Sequence, residues 1–210
     1  MTGGIGSGKS ALVARLAERP GVRVVKADDV ARRIMAEHPG VRRQLVEAFG
    51  PETYTAAGSL DRARLAGRVF GDAEALGALN AIVHPAVREA LLEEMGRARA
   101  EGARLFVYEA ALIFETGGDA LLDETVVVDA PVETRIARVV ARDGVDREAV
   151  LARMRHQLDP AEARARADRV VENSGGLDAL RAAADALYDD LAGDAPPPSD
   201  TNDPGLDPAG

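Results

Sequence analysis

The chain has no cysteine, so it can form neither a disulfide framework nor a thiolate metal site. Its three histidines are too few for a histidine-rich metal centre. Aromatic residues make up only 3%, so a core has to be built from alanine, valine and leucine within an apolar content of 46%. No stretch approaches the roughly 18 uninterrupted apolar residues of a membrane span. No basic-then-apolar leader marks the chain for secretion. A soluble cytoplasmic protein with no membrane partner is expected, as a monomer or weak homo-oligomer. Positive charge is also scarce. The formal net charge is −9, of which four charges are the aspartates of residues 194–210, leaving −5 on the remainder. Such a body suits no nucleic acid, because phosphate-backbone contacts need clustered cations. A small phosphorylated ligand needs only a local positive pocket.

What is present is ordered by short apolar runs alternating with helical segments. Residues 22–27, 105–108, 125–129 and 169–172 read as strands. Helices are expected over 10–18, from Pro39 to Gly50, over 61–70 and 72–83, from Pro85 to Gly102, across much of 133–165, and over 177–191. Residues 194–210, rich in proline and aspartate, read as a disordered tail. Strand–helix alternation indicates an α/β fold with a parallel sheet covered on both faces, and a ligand site beyond the C-terminal strand ends.

The first ten residues carry the sharpest pattern. Gly3-Gly4-Ile5-Gly6-Ser7-Gly8-Lys9-Ser10 fits G-x-x-x-x-G-K-[ST] in full and opens a helix. Glycines there let backbone N–H groups turn around a phosphate, and the helix points its positive end at the same anion. Among 26 cations only Lys9 and Lys26 are lysine. Lys9 stands where a compact ammonium fits between phosphates and Ser10 where a hydroxyl can ligate Mg²⁺. Almost nothing precedes this loop, although such a loop normally hangs from a strand. Met1 is expected to be the last residue of that strand, with the rest encoded upstream. A chain truly beginning at Met1 is expected to fold poorly or to bind ATP weakly.

Three further groups fall at the same end of the expected sheet. Asp28 lies where it can take a proton from an acceptor hydroxyl, or alternatively cap the next helix. Lys26 should face the same side as Asp28 if the strand persists, pairing with it or staying solvated. Glu109 ends its strand as an acid that holds Mg²⁺ through water, or that bonds neighbouring backbone. Arg135, Arg138 and Arg142 can share one helix face, either to clamp phosphates or to pair with Glu133 and Asp143. His84 precedes Pro85 at an expected helix start, where a lone histidine caps or packs.

Together these segments resemble the dephospho-CoA kinase family. "TGGIGSGKS" is that family's typical loop, and "ADDVAR" at 27–32 resembles the segment after its second strand. "GSLDRARLAGRVF" at 58–70 followed by "LNAIVHP" at 79–85 looks like its most distinctive signature. "EAALIFE" at 109–115 and "ADRVVENSG" at 167–175 are similar to its third-strand and last-strand motifs. The resemblance spans about residues 2–192. Lys26, Ala11 and Ala111-Leu112-Ile113 depart from the commonest family pattern without removing a group given a role.

The resemblance implies a P-loop NTPase fold with a parallel five-stranded sheet, its first strand largely missing, a helical insertion and a lid. It implies a core of 1–28, 103–132 and 166–193, a CoA-binding region of 29–102, and a lid of 133–165. It implies transfer of the ATP γ-phosphoryl to the ribose 3′-hydroxyl of dephospho-CoA, with Mg²⁺. The ATP-binding candidates are Gly4, Gly6, Ser7, Gly8, Lys9, Ser10, Ala11, Arg138, Arg142 and Asn173, the last near the adenine. Asp28 would activate the hydroxyl, and Lys9 and Arg138 would act on the transferring phosphate. The substrate-binding candidates are Asp28, Arg62 and His84, and the metal candidates Ser10 and Glu109. A nucleoside monophosphate kinase is disfavoured by the 58–85 signature. A GTPase switch is disfavoured because the chain has no N-K-x-D motif.

Overall fold

The computed structural model describes residues 1–155 and 157–193; the tail expected over 194–210 lies outside the described residues. Four strands carry the β-branched and apolar runs: β1 Val22–Lys26, β2 Leu105–Glu109, β3 Val126–Asp129 and β4 Arg169–Glu172. Nine α-helices surround them among the described residues. These are α1 Lys9–Ala17, α2 Ala27–Glu37, α3 Pro39–Phe49, α4 Arg62–Val69, α5 Ala73–Ala100, α6 Val132–Asp143, α7 Arg147–Met154, α8 Pro160–Arg166 and α9 Leu177–Ala192. No described helix is long and apolar enough to cross a membrane.

The strands form two parallel pairs, β1 with β2 and β3 with β4. The parallel sheet expected with its first strand largely missing is present as these two pairs, four strands among the described residues. Two residues ahead of Gly3 are too few to make a strand, yet they bond to both pairs. The Met1 nitrogen donates to Tyr108 O at 2.8 Å, and Met1 O accepts from Ala110 N at 3.2 Å. Thr2 N donates to Val126 O at 2.8 Å, and Thr2 O accepts from Val128 N at 2.9 Å. Thr2 thus bridges β3 in parallel register. Beneath Met1 a cleft of about 260 Å³ opens between β2 and β3, lined by Leu16, Leu105, Val107, Val126 and Leu191.

Two larger cores flank the strands, and a smaller one serves the arginine-bearing helices. Leu12 and Leu16 of α1 meet Val107, Val128, Leu180 and Leu187. On the other side Val25 and Tyr108 meet Val30, Ile34, Leu45 and Leu91 from α2, α3 and α5. Ile136, Val139 and Val150 make the third cluster, with Ile5 packed against it.

Helix boundaries follow local chemistry. Pro39 opens α3, the His38 ring accepts from Val41 N, and Gly50 at φ 90° stops it. Asp61 caps α4, and Asp72 accepts from Glu74 N and Ala75 N to start α5. Pro85 departs from expectation. It lies inside the 28-residue α5 instead of opening a helix, so His84 is mid-helix too. An interior proline costs about 3 kcal/mol. Val83 and Leu91, on either side of it, are both buried in the second core, and their packing overrides that cost.

Candidate active site

The Gly3–Gly8 loop hands the chain from the strand pairs to α1. Gly8 caps α1 with φ 96°, and a Cβ there would fall 2.2 Å from Asn173 Nδ2. Only glycine tolerates both the dihedral and the approach. Asn173, just past β4 and expected near adenine, is buried beneath the loop. Its Nδ2 donates to Ser7 O at 2.7 Å, and its own N–H donates to Asp129 O at 2.7 Å. The loop is therefore braced from below before any ligand arrives.

The first turn of α1 brings Lys9 and Ser10 onto Glu109, the last residue of β2. Lys9 Nζ and Ser10 Oγ each donate to Glu109 Oε1 at 2.7 Å. Glu109 is 6% exposed, and its Oε2 is buried without a hydrogen-bond partner. Lys26 Nζ stands 3.9 Å from that oxygen. Burial pushes the Glu109 carboxyl up. The bonds from Lys9 and Ser10 and the charges of both lysines outweigh it and hold the group below its ordinary value. Lys26 thus turns to Glu109 and not, as the alternation allowed, to Asp28.

The Ser10 hydroxyl and the Glu109 carboxylate, one of whose oxygens is unpartnered, are hard donors and fit a hard divalent cation. Among the described residues no cluster of three or more His, Asp or Glu side chains is placed to hold a metal alone. That suits an ion bound largely by phosphate and water.

β1 ends at Lys26, so Asp28 enters the first turn of α2. Lys26, not Asp28, occupies the N-cap position, and no side chain caps the helix. The capping alternative for Asp28 is therefore excluded. Asp28 instead stands exposed on the rim shared by two cavities.

The first, a cup of about 580 Å³, is walled by residues 3–11, with Arg138, Arg142, Arg153 and Gln157 opposite. Arg138 lies over the loop, its guanidinium 3.4 Å from Gly6 O and from Asn173 O. Arg142 faces the cup while its fork rests on Asp143 at 2.6 and 3.1 Å. Arg135, expected on the same face, instead turns behind the loop and is 4% exposed. Glu133 pairs with Arg147 and not with these arginines.

The second cavity, about 540 Å³, lies between α2, α5 and the segment after β2. Leu79, Val83, Val87, Leu91, Tyr108 and Leu121 give it an apolar wall. His84 lines it; Arg62 stands exposed at the head of α4 and lines neither cavity. Burial, then the charge of Asp28, push the Tyr108 hydroxyl above its ordinary value. Asn80, Arg88 and Tyr108 in this wall, and Arg153 and Gln157 in the cup, were not singled out from sequence. Each is a polar or aromatic residue within an ordinary helix or strand pattern, and nothing local distinguishes it.

A glycine loop at a helix head, its lysine and serine on a strand-end carboxylate, and an acceptor-sized cavity sharing one acid define a P-loop phosphotransferase. Comparison with known proteins narrows the class. The dephospho-CoA kinase family model matches residues 1–179. A dephospho-CoA kinase of Salinibacter ruber is 49% identical over 188 residues, covering 90% of this chain and 94% of that one. One of Chlorobaculum tepidum is 43% identical over 195 residues, covering 91% and 93%. A crystal structure from Thermus thermophilus superposes with a TM-score of 0.76 at 43% identity, over 91% of this chain and 96% of that one. The chain belongs to the dephospho-CoA kinase family.

Proposed function

We propose that this chain transfers the γ-phosphoryl of ATP to the ribose 3′-hydroxyl of dephospho-CoA, giving coenzyme A and ADP. The observation that carries this reading is the position of Asp28, on the one rim common to the glycine-loop cup and an apolar acceptor cavity.

The loop N–H groups and the α1 dipole would hold the β- and γ-phosphates, and Lys9 would leave Glu109 to bridge them. Arg138 would lie along the transferring group and offset its charge. The acceptor would seat its apolar parts against α5 and present the 3′-hydroxyl to Asp28. Asp28 takes the hydroxyl proton as the O3′–Pγ bond forms and the bond from Pγ to the β,γ-bridging oxygen breaks. ADP leaves with the bridging electrons. Ser10 and Glu109 would hold Mg²⁺, which when bound would neutralise charge developing on the phosphates.

On this reading residues 1–28, 103–132 and 166–193 are the nucleotide core. The block 29–102 receives the acceptor, and 133–165 closes over the nucleotide. The enzyme works in the cytoplasm as a monomer or weak homo-oligomer, since one chain supplies every group named.

The test is ADP release with Mg²⁺, ATP and dephospho-CoA, with AMP as a competing acceptor and the product's phosphate located by ³¹P NMR. The expected result is phosphate on the ribose 3′-oxygen and preference for dephospho-CoA. Preference for AMP, or phosphate on the pantetheine end, overturns the assignment.

A further inference from the structure

Ile5 lies in the middle of the phosphate loop, and its N–H, its carbonyl and its side chain are all held by the same distant stretch of chain. Its N–H donates to Gln157 Oε1 at 2.8 Å, across 152 positions. Its carbonyl accepts from Arg135 Nε at 3.0 Å, across 130 positions. Its side chain packs on the Ile136, Val139 and Val150 cluster. Arg135 sits on α6, and Gln157 lies in the connection between α7 and α8. The peptide groups on either side of Ile5 and the side chain between them are thus bound to the α6–α8 stretch that brings Arg138, Arg142 and Arg153 to the cup.

The fit leaves little slack. A Cβ at Gly4 would fall 1.9 Å from Arg135 Nη2, and one at Gly6 would fall 2.4 Å from the Arg135 carbonyl. The loop's backbone therefore lies directly on Arg135. A phosphate loop works through the directions of its N–H groups. Gln157 holds one of those N–H groups, that of Ile5, and with Arg135 on the Ile5 carbonyl it fixes how the loop backbone is turned. A buried guanidinium whose hydrogen bond, among the described residues, goes to one neutral carbonyl is a poor stabilising element, so its place under the loop needs another explanation.

We propose that Arg135 and Gln157 are positioning residues that lock the phosphate loop to the arginine-bearing helices through Ile5, so that loop geometry and helix position change together. Nucleotide in the cup and closure of α6–α8 then favour each other, because each sets Ile5 in the same place. The inference rests on the ATP reading of the cup, and it identifies what regulates that site.

Two measurements separate the inference from that reading. Hydrogen exchange of the ligand-free protein reads the tether alone. Gln157→Met keeps length and removes the acceptor, and it should speed exchange of the Ile5 amide about tenfold, the loss of one backbone hydrogen bond. A wild-type exchange rate in that variant overturns the tether, whatever the cup binds. Kinetics read the coupling. Gln157→Met and Arg135→Lys should each raise KM for ATP about tenfold and leave KM for dephospho-CoA unchanged. The double variant should cost clearly less than the product of the two, since both act on one residue. An unchanged KM for ATP, or full multiplicativity, overturns the coupling. Wild-type protein that binds no ATP overturns the coupling together with the reading of the cup, and the exchange measurement still decides the tether.

Discussion

The cup and the acceptor cavity are nearly equal in volume, about 580 and 540 Å³, and opposite in character. The cup is walled by backbone N–H groups, one lysine and three arginines, braced by Asn173 and by the Ile5 contacts. The cavity is walled by aliphatic side chains on α2 and α5 beside Tyr108. Charge is held by direction, so a misplaced donor loses most of its effect. Apolar matter is held by area, so a missing methyl group loses only its share. Changes near the cup should therefore act steeply on the chemical step, and changes in the cavity should act in proportion on acceptor binding alone.

The largest break in that contrast belongs at the rim. Asp28→Asn keeps shape and removes the base, and kcat should fall about a thousandfold. The Kd for ATP should stay within about threefold, because Asp28 shares the rim without bonding the loop in this structure. Stopped-flow binding with steady-state turnover checks both. Unchanged turnover would remove Asp28 from the chemistry.

The next effect lies at the floor of the cup. Glu109→Gln removes the charge that holds Lys9 and Ser10, and should cost about 2 kcal/mol of stability. The sign of its pH dependence follows from the carboxyl's lowered pKa. Unfolded, the group titrates near 4.5. Above that value both states are ionised and the pairing contributes in full. As pH falls through the lower folded value the folded carboxylate takes a proton and the contribution is lost. Denaturant melts of wild type and variant should therefore differ at pH 7 and converge as pH falls below the unfolded value of 4.5 and through the lower folded one. A difference that persists into acid would mean that the carboxylate's charge is not what joins α1 to β2.

The asymmetry between the two regions also governs how much of each could be read from sequence. The loop was legible because direction demands particular residues at fixed spacing: glycines, then Lys9 and Ser10. Asp28 and Glu109 were legible as acids at strand ends, with boundaries shifted by a residue. Their partners were not. Glu109 meets Lys9 across 100 positions, and no local pattern encodes that. Sequence leaves Lys26 open between Asp28 and solvent, because alternation does not hold past the point where β1 gives way to α2 and the lysine's contact with Glu109 is not local. The cavity was nearly invisible. Leu79 fell in the helix expected over 72–83, and Val87 and Leu91 in the one expected from Pro85; only the packing of α2 against one continuous α5 leaves space beside them. Pro85 misled for a related reason: its propensity is local, whereas the packing that keeps α5 continuous is tertiary.

Within the cavity the expected effect is smaller and confined to one substrate. Leu79 is half-buried on α5. Leu79→Ala should raise KM for dephospho-CoA about tenfold, near 1.4 kcal/mol, the scale of a few buried methylenes. KM for ATP should not move. A parallel rise in both would show that the two regions are not separable and that α5 also sets the loop.

The smallest effect tests whether every arginine on the cup belongs to it. Arg138 is 3.4 Å from loop carbonyls and has no carboxylate within salt-bridge distance among the described residues, so it is free to turn onto a phosphate. Arg142 differs. Its fork rests on Asp143, whose other oxygen is 2.9 Å from Arg153 Nη1. Asp143 raises the Arg142 guanidinium pKa and is itself held below the ordinary carboxylate range, Arg142 being the larger cause and Arg153 the lesser. One acid therefore restrains two cations at the cup's edge. Exposed pairs of this kind contribute little, because water screens them. Arg142→Ala should thus raise KM for ATP less than about fivefold, whereas Asp143→Asn should release both arginines and lower it by a similar factor. If Asp143→Asn instead weakens ATP binding, the acid is holding Arg142 in its working position, and the cup's edge is as direction-bound as its floor.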